Sequence, residues 1–150
     1  MTMILKRLNF TLTLVIISIS LMGQINPLDS VEFFEYKFKV PTGCKPTYGG
    51  QVLCDSYAVT WSYEPASDIE RHKKEGIAQL KNPKKFDCYV LGTKMTGYKS
   101  KFDPGVQVAV FGVIKGQGVL LWLWFGKDIK TNEDIPEFVS QIFQLPNGPK

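Results

Sequence analysis

The chain has 150 residues, of which 44% are hydrophobic and 13% aromatic, and its formal net charge is +4. This length suits one domain with a substantial buried core. The charge falls to +2 if a leader carrying Lys6 and Arg7 is removed, which is too little to indicate a nucleic-acid or membrane-surface partner.

The first 23 residues show the pattern of a secretory signal peptide. Lys6 and Arg7 are the only charges before Asp29, and a mostly apolar stretch over residues 12–22 follows them. A permanent anchor needs about 20 apolar residues, so this stretch is short for one, although an uncleaved anchor is the alternative. The sequence therefore predicts export to the periplasm or the medium, with membrane contact only through the transient signal peptide.

The cleavage point of this signal peptide has two candidates. Small residues at −3 and −1 allow cleavage after Ser20, whereas cleavage after Gly23 places Leu21 at −3. We favour Gly23 because polar, turn-forming residues begin at Gln24. The expected organisation is a signal peptide over residues 1–23 and one domain over residues 24–150.

Three cysteines follow the leader. Cys44 and Cys54 flank a turn-rich segment that can bring their sulfurs together, and an exported protein meets an oxidising environment. We therefore predict a Cys44–Cys54 disulfide, with two unpaired thiols or a pairing to Cys88 as alternatives. Cys88 lies in an apolar run, which indicates a buried thiol.

The first half of the domain is predicted to hold strands followed by a helix. Residues 32–40 alternate with the strand period. One face of this strand carries Phe34, Tyr36, Phe38 and Val40. Strands are also expected at residues 51–54 and 57–63, and a capping-box pattern at residues 67–70 predicts a helix that runs to Leu80. The core-facing side of this helix carries Ile69, Lys73, Gly76, Ile77 and Leu80.

The second half is predicted to continue with antiparallel strands. Residues 86–91 and 95–99 indicate two strands, or one long strand bent at Gly92. Residues 106–114 and 119–125 form the strongest predicted pair, joined by the tight, glycine-containing turn between them.

A second capping-box pattern at residues 134–137 predicts the last helix. Its apolar stripe consists of Ile135, Phe138, Val139, Ile142 and Phe143. The strand over residues 119–125 does not alternate, and a strand that is apolar on both sides is buried on both sides. The predicted fold class is therefore α+β, with an antiparallel sheet between helices as an α-β-α sandwich.

The layout of residues 34–145 resembles the PsbP-like proteins, including the DcrB-like bacterial envelope proteins. The resemblance rests on the opening strand Phe34–Pro41, on Gly97-Tyr98-Lys99 before an antiparallel hairpin, and on the apolar strand 120–125 followed by the helix 136–143. It implies an α-β-α sandwich that acts as an accessory or binding subunit, without a shared family active site.

Two residues have side chains that could support catalysis. His72 is the only histidine, and we interpret it as a solvated helix residue because no second ligand stands at metal-binding spacing. A nucleophilic Cys88 would need His72 beside it as a base. We therefore predict no catalytic residue, no metal site and no cofactor.

Two groups of side chains are candidates for binding. Lysines recur between residues 73 and 101, and we interpret them as a solvated face. Four aromatic residues pair on strand faces, where they line either the core or a binding surface. These residues are Trp61 with Tyr63 and Trp122 with Trp124.

The function predicted from these observations is non-enzymatic binding. We expect an exported accessory protein that acts through an envelope or secreted protein partner. A small-ligand carrier with an aromatic-lined pocket between a helix and the sheet is the alternative. A thiol or hydrolytic enzyme using Cys88 or His72 is the third hypothesis.

Overall fold

The computed structural model describes residues 29–47 and 49–147. The predicted signal peptide and its cleavage site lie outside these residues. Within the described ranges, no helix is long and apolar enough to cross a membrane.

In the described residues, ten strands form two antiparallel sheets. In chain order they are β1 (Ser30–Phe33), β2 (Tyr36–Lys39), β3 (Lys45–Thr47), β4 (Gln51–Leu53), β5 (Tyr57–Pro65), β6 (Lys84–Val90), β7 (Thr93–Lys101), β8 (Val106–Ile114), β9 (Gln117–Phe125) and β10 (Phe143–Gln144). Strands β1 and β2 pair only with each other, and the other eight form one sheet in the order β10-β6-β7-β8-β9-β5-β4-β3.

Two short helices accompany the sheets in the part of the chain that the structure describes. Helix α1 (Ile69–Ala78) follows a 3-10 turn at Ala66–Asp68, and helix α2 (Glu137–Ser140) follows a second 3-10 turn at Asn132–Asp134. The molecule is thus mostly antiparallel sheet with few helical residues, which agrees with an α+β class.

In the β6–β7 and β8–β9 hairpins, the connecting turn consists of two residues with left-handed backbone conformation. Leu91 and Gly92 join β6 to β7, and Lys115 and Gly116 join β8 to β9, all four with positive φ. Paired positive φ values match the right-handed twist of the flanking strands, so such turns close hairpins tightly. The predicted β8–β9 hairpin is confirmed, and the alternative of one long strand bent at Gly92 is wrong.

The large sheet buries both faces, but unequally. Its core face carries Val108, Val110, Leu121 and Leu123, each 0% exposed, under the β1–β2 hairpin and the segment around α2. Its helix face, with Ala109 and Phe111 buried, packs against α1. The core-facing residues predicted for α1 include Ile69, Gly76 and Leu80, and all three are buried.

The strand predicted over residues 32–40 is wrong, because the chain turns back within it. Phe34 has a φ of 54° and lies in the turn between β1 and β2. The reversal buries Val31, Phe33 and Phe38 and leaves Tyr36 45% exposed, so the predicted apolar face does not form.

The predicted last helix is also largely wrong. Only Glu137–Ser140 is helical, and the chain then leaves the helix to pair Phe143 with Val90 as β10. The five residues of the predicted apolar stripe are nevertheless all buried. These residues enter the core from a 3-10 turn, one helical turn and a strand instead of from one helix. The helix ends early because β6 has an unpaired edge, and only an extended segment can hydrogen-bond to it.

Neither predicted capping box forms. No side-chain hydrogen bond caps α1, since Ser67 Oγ donates to Asp68 Oδ1 at 3.3 Å instead. At the second site, Asp134 accepts hydrogen bonds from the backbone N–H groups of Lys130 and Thr131 at 2.9 and 3.0 Å. It therefore caps the 3-10 turn of which it is part, and it does not cap α2.

Candidate functional site

The predicted Cys44–Cys54 disulfide is present. It joins the ends of the β3–β4 hairpin across a Cα–Cα distance of 4.4 Å. Cys88 is the free thiol and is 0% exposed in the core, as predicted. The bridge therefore fixes one edge of the large sheet.

Trp61 and Tyr63 lie on the core face, where they anchor the β1–β2 hairpin. The Trp61 ring is 3% exposed and meets the Phe33 ring edge-on, with 5.5 Å between centroids. The Tyr63 hydroxyl accepts a hydrogen bond from the Phe34 backbone N–H at 2.7 Å. These contacts give both residues a structural role.

Trp122 and Trp124 lie on the opposite, helix face. Their rings stack with centroids 6.2 Å apart and an interplanar angle of 18°. Trp122 also meets Phe111 edge-on at 5.5 Å, beneath α1. The sheet therefore separates the two predicted aromatic pairs. Trp122 and Trp124 are partly exposed on the face that α1 covers in part, and Tyr63 is 41% exposed on the other face.

We define the tryptophan surface by the strand register on this face. One row across the sheet contains Gln107, Trp124, Ala58 and Leu53, and the next contains Trp122, Thr60 and Gln51. Leu53 is 39% exposed, and the other six residues are each partly exposed. None of these seven residues is charged.

Polar groups within the tryptophan surface are held in place. Gln51 Nε2 donates to Thr60 Oγ1 at 3.1 Å across the β4–β5 pair. The disulfide lies at the end of the same β3–β4 hairpin, so the strand that carries Gln51 and Leu53 is fixed covalently. The surface is therefore mixed in polarity, and the strand at its β4 side is held in place.

Cys88 and His72 are not brought together. Cys88 belongs to the core face, where burial raises the pKa of its thiol to about 12. His72 lies on α1, against the other face, with Nε2 3.6 Å from Glu64 Oε2. The structure therefore does not form the thiol–imidazole pair that the third hypothesis needs. Among residues 29–47 and 49–147, no group of three His, Cys, Asp or Glu side chains could hold a metal ion.

The lysines between residues 73 and 101 divide between the two faces. Lys73, Lys74 and Lys85 line an open cleft of about 510 Å³ beside Tyr98. Lys99 lies on the core face and pairs with Asp128 at 2.9 Å. The predicted basic stretch is thus not one continuous surface.

A second cleft opens where β6 extends beyond its short pairing with β10, and we call it the edge cleft. It has a volume of about 520 Å³. Its walls are formed by Phe86, Asp87, Lys99, Ile129, Lys130, Leu145, Pro146 and Asn147. Sequence reasoning missed this cleft because its walls come from four separate segments and no local pattern links them.

Comparison with family models, curated proteins and solved structures finds no match to this chain.

Proposed function

We propose that the protein is an exported, non-enzymatic accessory protein that binds a protein partner through the tryptophan surface. The observation that carries this proposal is the stacked pair Trp122 and Trp124 on a sheet face that α1 covers only in part. Leu53 adds a 39% exposed apolar side chain at the same surface.

The composition of the tryptophan surface suits a protein rather than a charged ligand. Centres of protein interfaces are depleted in charge and enriched in aromatic residues, and tryptophan is frequent among the residues that dominate binding energy. The rows place Trp124 between Gln107 and Ala58, with Leu53 beyond, and contain no charged side chain. The expected partner presents a complementary, uncharged apolar patch.

The size of the surface sets the kind of complex. Seven same-face residues, each taking about 4.8 Å across the strands and about 7 Å along them, cover roughly 230 Å². A standard interface takes about 800 Å² from each partner. The tryptophan surface alone therefore supports a weak or transient complex, with neighbouring residues needed for a stable one.

Export and the sandwich architecture belong to the same proposal. The basic and apolar leader over residues 1–23 has the form of a signal peptide. A disulfide is favoured outside the reducing cytosol. The α1 layer on one sheet face and the α2 segment on the other favour a PsbP-like sandwich.

Site-specific photo-crosslinking in the native host tests the partner. A photoreactive amino acid placed at Ser62, which is exposed beside Thr60 and Leu120, should yield one dominant protein adduct. The same probe at Tyr36, an exposed aromatic on the β1–β2 hairpin, is the matched control and should not yield that adduct. Adding Trp124→Ser to the Ser62 probe should reduce the adduct about tenfold, since central aromatic residues dominate such interfaces.

Two outcomes would contradict the proposal. One is the same adduct pattern from Ser62 and Tyr36, which would mean that capture does not depend on the surface. The other is an adduct at Ser62 that survives Trp124→Ser while circular dichroism shows the variant folded.

A further inference from the structure

The walls of the edge cleft are built by specific contacts. The Phe86 ring lies across Gly97, where an added Cβ would stand 2.7 Å from Phe86 Cε1. Leu145 is fixed on the other side, because Asn132 donates to its carbonyl at 2.9 Å and accepts from its N–H at 2.7 Å. Two apolar walls therefore keep a defined separation.

A lysine lies between these walls. Lys99 Nζ donates to Asp128 Oδ1 and to the Ile129 carbonyl, both at 2.9 Å, and its side chain is 26% exposed. An ammonium group has three hydrogens, so one remains for an acceptor in the cleft. The hydrogen bond from Lys99 keeps the pKa of Asp128 below its usual value, so Asp128 stays ionised at neutral pH and continues to accept from Lys99.

Charge around the cleft favours an anion. Lys130 lines the cleft, and Lys84 stands directly opposite Lys99 in the β6–β7 pair. Asp128 is already paired with Lys99, and Asp87 is paired with Lys94 at 2.8 Å. With both acids engaged, the cleft retains an excess of positive charge.

We propose that the edge cleft binds a small amphipathic carboxylate, a molecule with one carboxylate and a compact apolar body. The carboxylate accepts the remaining hydrogen of Lys99 and a hydrogen bond from Lys130. The apolar body lies between Phe86, Ile129 and Leu145. The cleft opens on the core-face side of the sheet, so this inference does not depend on the protein partner of the tryptophan surface.

Three probes with the same eight-carbon chain separate charge from apolar contact. Octanoate, 1-octanol and octyltrimethylammonium are titrated into the purified 15N-labelled protein and followed by amide chemical shifts. Octanoate should bind saturably with a dissociation constant on the order of 1 mM, typical of a ligand of this size. Its shifts should concentrate at Phe86, Ile129 and Leu145, and octyltrimethylammonium should bind at least about tenfold more weakly.

Substitutions then test the two lysines. Lys99→Met should weaken octanoate binding about tenfold and Lys130→Met about threefold, because each removes a charged donor. Lys74→Met, an exposed lysine on α1, is the matched control and should leave binding unchanged. Lys130 is exposed, so its variant remains informative if Lys99→Met fails to fold.

Three results would overturn the proposal. They are no saturable binding of octanoate, equal binding of octanoate and octyltrimethylammonium, or shifts that map away from the cleft. The titration uses the purified protein alone, so its failure is distinguishable from failure of the partner crosslinking.

Discussion

Replacing glycine by alanine usually stabilises a helix, but at Gly76 we expect it to destabilise the protein. It lies within α1, where replacing glycine by alanine normally gains about 1 kcal/mol. An added Cβ would stand 2.7 Å from Phe111 Cε1 and 3.3 Å from Trp122 Cζ2, and would also overlap Phe111 Cζ. Packing and helix propensity therefore act in opposite directions at this residue.

The Phe111 ring has little room to yield. It is 6% exposed and lies between Trp122 and Tyr98, with ring centroids 5.5 and 6.3 Å away. Overpacking a filled site costs about 1–3 kcal/mol, which exceeds the propensity gain in most of that range. Gly76→Ala should therefore lower the free energy of unfolding by up to about 2 kcal/mol.

Urea unfolding, followed by circular dichroism and tryptophan fluorescence, measures this change, and coincident transitions would support a two-state analysis. Phe111→Leu removes the obstructing ring, so in that background Gly76→Ala should become neutral or stabilising by up to about 1 kcal/mol. The packing explanation is refuted if Gly76→Ala alone raises the urea midpoint. It is also refuted if Gly76→Ala lowers the free energy of unfolding by the same amount in the parent and in Phe111→Leu.

Three further predictions concern the cysteines and the Lys99–Asp128 pair. Replacing Cys44 and Cys54 together by serine should lower the free energy of unfolding by about 2–3 kcal/mol, and equal urea midpoints for variant and parent would contradict this. The folded-state pKa of Asp128 is lowered by its hydrogen bond from Lys99, so the pair stabilises the protein at neutral pH and loses this effect as pH falls below about 4. The melting temperature of Asp128→Asn should accordingly lie below that of the parent at pH 7, and the gap should narrow toward pH 3; a constant gap would argue against the pair. Because Cys88 is 0% exposed and its pKa is raised to about 12, a thiol reagent at pH 8 should label it only after denaturation, and rapid labelling of the folded protein would show that it is accessible.

The sequence was informative where a local pattern determines structure. The β8–β9 hairpin follows from two apolar runs and a glycine-containing turn, and Lys115 and Gly116 have the left-handed backbone that this turn requires. The Cys44–Cys54 bridge follows from turn residues between two cysteines in a chain with an export pattern.

Local patterns failed where the partner of a segment decides its conformation. Phe138, Val139 and Phe143 are buried as their helical spacing suggests, yet Phe143 pairs with Val90 in the sheet because β6 has a free edge there. The turn at Phe34 likewise depends on contacts with Tyr63, which lies 29 residues further along the chain.

The candidate sites show the same limit. Strand period places Trp122 and Trp124 on one face, but only the register with β5 and β4 puts Thr60 and Leu53 beside them. The edge cleft depends on the Asn132 contacts that hold Leu145, and these contacts have no sequence signature.

The ladder between β5 and β9 is expected to form late in folding, because it joins segments that are far apart in the chain. It joins residues roughly 50–70 positions apart, whereas the ladders among β6, β7, β8 and β9 join consecutive strands. The consecutive strands can form early, and β5 must then close a long loop to reach them. During synthesis, β5 therefore has no long partner until residues beyond 117 have been made, and a chain that ends before Gln117 should remain unfolded. Strand β9 pairs with β5 on one side and with β8 on the other, so it joins the first half of the chain to the second within the sheet.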